Sequence, residues 1–202
     1  MKPLETLKQI TDVEVVGRTP AFLAAHVLKS LDLLDAGSMG RGQLARELRL
    51  GEGTTRTLVG RMKAQGLIVT SRGGMSLTDS GREVLSGFQG LLKSSDISET
   101  TMTVGSRNHA VLVYGAARSV KKGIEQRDAA LIAGAKGATT LVYDDGGLRM
   151  PGMEDPLDPK MIEHIEESMS PSNGDVVIIG SSDDAFLAEI GAKSAALKLL
   201  ES

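Results

Sequence analysis

The chain contains no cysteine. That absence removes disulfides, thiolate nucleophiles and Cys-ligated zinc together, and it fits a reducing compartment. No run approaches the 18 or more apolar residues of a membrane-spanning helix, and the first residues, MKPLETLKQI, lack the apolar core of a signal peptide. A cytoplasmic location is therefore expected. Walker, GxGxxG and H-E-x-x-H patterns are also missing, and His26, His109 and His164 stand far apart without forming a Ser-His-Asp constellation. The single histidine in the acidic run Glu163-His164-Ile165-Glu166-Glu167 reads as part of a solvated face. No catalytic residue, no metal and no cofactor are expected.

What is present points to two domains. The chain has 202 residues, 41% of them hydrophobic, enough for two modest cores. Dividing it after Ser94 leaves a net charge of +4 before the cut and −7 after it. That asymmetry suggests a half that faces nucleic acid and a half that avoids polyanions. The expected division is a first domain over 1–94, a polar linker over 95–101, and a second domain over 102–202. Glycine, at 24 residues, exceeds the usual share of ~7% and implies tight turns or close backbone approaches.

In the first half, Thr19 and Pro20 form a helix start, and Leu23, Val27, Leu31 and Leu34 follow on one face until Gly37. A second helix is expected over 43–49, with Leu44, Leu48 and Leu50 inward, then a turn at 50–53. A third runs over 54–65. Its apolar stripe is Leu58, Val59 and Met62, and at 100° per residue the opposite side presents Arg56, Thr57, Gly60, Arg61 and Ala64. Two arginines, a hydroxyl and two very small residues suit close approach to a groove. Gly60 weakens a helix interior by ~0.5–1 kcal/mol relative to alanine, so it asks for a reason. After Gly66, LIVTS (67–71), the turn Arg72-Gly73-Gly74 and residues 75–77 form a hairpin. LTDSGREVL (77–85) reopens a helix capped by Thr78, with a pattern that continues through Phe88 and Leu91-Leu92.

The run GTTRTLVGRMKAQGLI, the hairpin and LTDSGREVL resemble winged helix-turn-helix transcription regulators over about 19–92. The resemblance implies that the third helix enters the major groove of duplex DNA. It would place Thr54, Arg56, Thr57, Arg61 and Lys63 on bases or phosphates and Arg72 in a short wing. Seven basic residues against two acidic ones over 41–72 give that stretch a local charge of +5.

The second half alternates strands and helices: a strand over 109–116, a helix over 124–137, a strand and return over 139–150, a helix over 159–168, a strand over 175–180, and a final helix over 183–200. That order implies an α/β layer structure with a mixed sheet, either split-βαβ or partly doubly wound. Through VLVYGAA, GIEQRDAALIAGAKGATTLVY and GDVVIIGSSDD the whole chain also resembles a group of archaeal winged-helix proteins whose C-terminal domain has no assigned function.

Candidate ligand residues here are Gly115, Arg118 and Lys122 in the loop after the first strand, Arg127 on the next helix, and Ser181 and Asp183 at the last strand-to-helix junction. Each has a plainer role: solvated cations, surface pairing, or helix capping by the aspartates. The functional expectation is a DNA-binding regulator whose second domain senses a small molecule or builds a homodimer. The helix over 79–93, through Phe88 and Leu92, and the final helix are the candidate dimer elements. Two alternatives stay open: a small-metabolite enzyme carrying a regulatory winged helix, and a winged-helix scaffold for protein partners.

Overall fold

The computed structural model describes residues 2–11, 22–145, 147–153 and 156–202. The helix start expected at Thr19 and Pro20 lies outside them. The chain divides between Gln89 and Gly90 into two compact units.

The first unit is built from helices α1 (Pro3–Thr11), α2 (Ala24–Ala36), α3 (Arg41–Glu47) and α4 (Glu52–Ala64), strands β1 (Ile68–Ser71) and β2 (Gly74–Leu77), and helix α5 (Asp79–Gln89). Leu28, Leu31, Leu44, Leu58, Met62, Leu67 and Phe88 are fully buried at its centre. Helix α1 has no counterpart among the elements expected from the sequence, yet Leu7 and Ile10 bury one of its sides while the charged residues of LETLKQ face out. Strands β1 and β2 pair antiparallel, Ser71 opposite Gly74, so Arg72 and Gly73 alone make the turn. Met39 adds a third, single-bridge strand through reciprocal backbone bonds of 3.1 and 2.8 Å with Met75.

Glycine matters most at the first turn of α5. A Cβ on Gly81 would sit 2.1 Å from the carbonyl oxygen of Leu67, the carbonyl that also accepts from the Thr78 backbone N–H at 2.9 Å. Thr78 caps the helix by accepting from the Gly81 N–H at 3.0 Å. The absence of a side chain at Gly81 thus lets α5 dock against the end of the wing.

The second unit carries a five-stranded sheet in the order β3-β4-β7-β5-β6. Its strands are β3 (Leu92–Ile97), β4 (Arg107–Val113), β5 (Gly137–Asp144), β6 (Gly147–Arg149) and β7 (Val176–Ser182). Its helices are α6 (Ile124–Ile132), α7 (Pro159–Met169) and α8 (Ala185–Leu200), with one 3-10 turn at Ala117–Ser119. The two-domain α/β organisation stands, and the sheet takes the split form. Strands β4 and β5, joined through α6, run in one direction with β7 between them, so all four hydrogen-bonded ladders of this sheet are antiparallel.

Because successive side chains alternate in a strand, the sheet has two distinct faces. Ala110, Leu112, Leu141, Val177 and Ile179 meet Met161, Ile165 and Met169 of α7 on one face. The other face holds α6 and α8. There a Cβ on Gly180 would lie 2.3 Å from the Ala188 carbonyl and 2.5 Å from the Ala192 nitrogen, so glycine sets how closely α8 lies on β7.

Two expectations are corrected. Residues 95–97 are strand rather than linker, because Leu92–Ile97 finds a full antiparallel partner in β4. The polar look of SSDI comes from its position on an edge strand, with side chains largely exposed. The candidate dimer elements are also withdrawn, since Phe88 (0% exposed) and Leu92 (7%) are core residues and α8 is buried around nearly its whole circumference.

His109, opposite Gly180, faces α8, and its surroundings include Glu189 and Lys193, which pair at 2.9 Å, and Asp96, whose Oδ1 lies 2.7 Å from Nδ1. Burial holds its pKa below the ordinary value of about 6.5, against the pull of the Asp96 carboxylate, and burial does the same to His26. Nδ1 of His26 accepts from the Leu23 N–H at 3.1 Å, which requires a neutral ring.

Both histidines stay neutral in the fold at pH values where the unfolded chain protonates them. Their stabilisation is therefore complete above about pH 6.5 and is lost as pH falls below it. Urea midpoints should drop between pH 7.5 and 5, and His109→Gln should reduce that drop. Asp158 and Asp183, whose pKa values lie below the ordinary 3.8 through the Thr100 hydroxyl and the Lys136 ammonium, act only at lower pH. In the same assay at pH 7.5, Gly81→Ala should cost about 1–3 kcal/mol or more, the scale of an overpacked contact.

Candidate nucleic-acid interface

Helix α4 starts at Gly51, in extended backbone, and its first turn is tightened by Thr55 Oγ1 and Thr57 Oγ1 donating to the carbonyls of Gly51 and Gly53, each at 3.1 Å. Thr55, Leu58, Val59 and Met62 are buried, and Arg56, Thr57, Gly60, Lys63 and Ala64 are exposed. Arg56 and Lys63 are seven residues apart, so they fall on one line two turns apart with Gly60 between them. A Cβ on Gly60 would meet nothing within 4 Å. No internal packing demands a glycine there, and its effect is to keep the solvent side of the helix low.

The other expected contacts divide. Thr54 is half-buried at the start of the helix, and Arg72 is exposed at the hairpin turn. Arg61 is turned inward. Its Nη1 donates to the Ile10 carbonyl at 2.8 Å, and its guanidinium lies 5.5 Å from the centre of the Phe22 ring. Ile10 belongs to the last turn of α1, where carbonyls lack intrahelical partners, and an arginine there satisfies one of them while stacking on an aromatic face. This arginine therefore positions α4 against α1 instead of standing on the outer face with Arg56. Sequence reasoning missed Arg41 and Arg46, which are exposed on α3. Their only sequence signal was the local charge of 41–72. Arg41, Arg46, Arg56, Lys63 and Arg72 make no ion pair among the described residues.

The ligand residues expected in the second unit do not converge. Val113 pairs with Val176 and Arg107 with Ser182, so the loop after β4 and the loop after β7 lie at opposite ends of the sheet. At the first end, the Gly115 N–H is occupied by Asp175 Oδ1 at 2.8 Å, so the chain's own carboxylate fills the place expected for an anion. Lys122 is exposed, and Arg127 pairs with Asp128 on the outside of α6. At the other end Ser181 is buried, its Oγ accepting from the Gly105 N–H at 2.8 Å, and Asp183 pairs with Lys136. Asp184 caps α8 by accepting from the Phe186 and Leu187 N–H groups at 2.9 and 3.2 Å, which is the role its position suggested.

Arg118 borders a cavity. It is a shallow cleft of about 250 Å³ between the 3-10 turn and β5–β6, with Lys121, Tyr143, Arg149 and Pro151 on its walls. Arg149 is paired with Asp144, and Lys121 with Glu125 at 3.4 Å. Among the described residues no group of His, Asp and Glu side chains is arranged to hold a metal ion, and no helix is long and apolar enough to cross a membrane.

Three helices, a β-hairpin and a further helix, with an exposed basic helix braced from behind, define the first unit as a winged-helix domain of DNA-binding type. Residues 24–92 match the family model of the CggR N-terminal DNA binding domain, and residues 104–199 match that of a Domain of unknown function (DUF4443). The chain thus joins a winged-helix-type DNA-binding domain to a DUF4443 domain. It is similar in structure to a hypothetical protein from Pyrococcus horikoshii OT3, at 27% identity and a TM-score of 0.72, over 89% of this chain and 98% of that one. No curated protein matches the chain.

The bracing role of Arg61 separates it from Arg56. Arg61→Ala should lower stability by about 1–2 kcal/mol, through a charged hydrogen bond and a cation–π contact, whereas Arg56→Ala should leave it within about 0.5 kcal/mol. Urea unfolding of the full chain at pH 7.5 measures both. Equal, negligible effects would deny Arg61 the role.

Proposed function

We propose that this protein regulates transcription by placing α4 in the major groove of duplex DNA. Arg56, Thr57 and Lys63 meet bases and phosphates there, Thr54 stands at the helix entry, and Arg72 of the wing meets the adjoining backbone. The observation that carries the reading is the exposed line Arg56-Gly60-Lys63, two cations across a glycine whose missing side chain nothing inside the domain requires. Arginine and lysine on such a line reach guanine edges or phosphates, and a low helix surface permits close approach to the groove floor. Arg41 and Arg46 add phosphate contacts from α3. A protein-docking role for the domain would give no reason for this concentration of unpaired cations.

For the second domain, the cleft beside Arg118, Lys121 and Arg149 supports an effector site for a compact organic anion, with Tyr143 and Pro151 against its apolar part. Thermal shift with small di- and tricarboxylates and sugar phosphates, repeated on Arg118→Ala, tests that role. A panel that never moves the melting temperature would count against it.

Selection of binding sites from genomic duplex, followed by titration at several salt concentrations, tests the main reading. Four to five phosphate contacts predict a log–log salt slope of about −4. Arg56→Ala should cost about 1–3 kcal/mol and change site preference, and Lys63→Ala should weaken all sequences alike and flatten the slope by about 1. Gly60→Ala should raise stability by about 0.5–1 kcal/mol while weakening DNA binding. A chain that binds no duplex at about 50 mM salt refutes the proposal.

A further inference from the structure

Helix α6 is nine residues long, yet it carries three of the large apolar side chains left open to water: Ile124 at 49%, Leu131 at 45% and Ile132 at 81%. Its inner side is committed, with Gln126 and Ala130 fully buried and the helix packed on α8 and β5. At 100° per residue, Ile124 and Leu131 lie within about 20° of each other, roughly 120–140° round the helix from that buried face. Arg127 falls about 60° to one side of Ile124 and Asp128 about 40° to the other. The exposed side of the helix therefore carries an apolar line, Ile124 and Leu131, with a cation along one edge and an anion along the opposite edge, and Ile132 lies beyond the anion. Within one chain the two pair at 3.2 Å, but their side chains remain 54% and 53% exposed. An ion pair that open contributes little, so its partners are free to exchange.

We infer that this face binds a second copy of the same chain, with the two α6 helices side by side and running in the same direction about a twofold axis along them. The charges select the orientation. When two such helices run in the same direction, the left edge of one lies beside the right edge of the other, so Arg127 of each copy meets Asp128 of its mate. Ile124 and Leu131, one heptad apart, then meet their own counterparts across the axis, and Ile132 lies outside this seam, beyond Asp128. Helices running in opposite directions set Arg127 beside Arg127 and Asp128 beside Asp128, which repels.

The apolar line supplies affinity, and the edge charges supply direction. Two helical turns bury far less than the ~1,600 Å² of a standard interface. The dimer is accordingly weak, with a dissociation constant on the order of 10–100 μM. An operator carrying two half-sites strengthens it by holding both copies close. The contact itself stands apart from the DNA-binding reading, because it forms without DNA.

Sedimentation of the full chain without DNA, from about 5 to 500 μM, tests the inference. The unaltered chain should show a reversible monomer–dimer equilibrium. Arg127→Asp and Asp128→Arg should each weaken it at least tenfold, by placing like charges together. An equimolar mixture of the two variants should associate to within about threefold of the unaltered chain, because a copy with carboxylates on both edges then meets a copy with guanidinium groups on both edges. Leu131→Asp should abolish association in every pairing. Unchanged melting temperatures show that each variant folds, as exposed positions require. A chain that stays monomeric throughout, single variants that dimerise normally, or a mixture that does not associate would each overturn the inference. Failure of Arg56→Ala to affect DNA binding would leave it standing.

Discussion

The structure of the first domain turns on one helix that must be held from behind before it can present anything in front. Leu58 and Met62 of α4 are completely withdrawn from water, which is worth roughly 1.5–3 kcal/mol for each such side chain. Arg61 adds a charged hydrogen bond to the end of α1 and a contact with Phe22. These contacts fix the rotation of α4 about its axis, and that rotation determines which side chains face outward. If the helix turned by one residue, about 100°, the line of Arg56, Gly60 and Lys63 would no longer point away from the core.

The second domain solves a different packing problem. Its sheet is covered on both faces, and on one of them glycine and alanine dominate, with Gly180 under Ala188 and Ala192, and Gly191 beside Ala130 and Ala135. Small residues let the helices approach the sheet and each other closely, so dispersion contacts are gained without bulky side chains. The cost is that α8 has little surface left over. Any surface for partners must come from elements farther out, and α6, with its open Ile124, Leu131 and Ile132, offers apolar area there.

Polar groups are used in the interior for position. Asp175 takes the N–H groups of Gly115 and Ser172, Ser181 grips Gly105, and Lys193 pairs with Glu189 beside His109. Buried partners of this kind are costly to leave unpaired, so they specify one arrangement of strands and loops. They also account for several residues whose chemistry had suggested a ligand. A backbone N–H at a strand end invites an anion, and in this fold the anion is a side chain of the same protein.

Much was legible in the sequence because it depended on neighbours along the chain. The stripe of Leu58, Val59 and Met62, the hairpin turn at Arg72-Gly73, the Thr78 cap, the aspartate cap of α8 and the exposure of Arg56 all follow from local periodicity and turn chemistry. What escaped depended on distance. Arg61 looked free because its partner, Ile10, lies 51 residues earlier in a helix that went unrecognised. Residues 95–97 looked like linker because an edge strand shows its polar face, and only pairing with β4 reveals it. Whether Gly115 and Asp183 share one end of the sheet stayed open in the sequence, because nothing in the order of elements says that β4 and β7 run in opposite directions. Periodicity records how each segment divides between inside and outside. Which inside surfaces meet, and which strand ends lie together, is settled only when distant segments compete to bury the same apolar area.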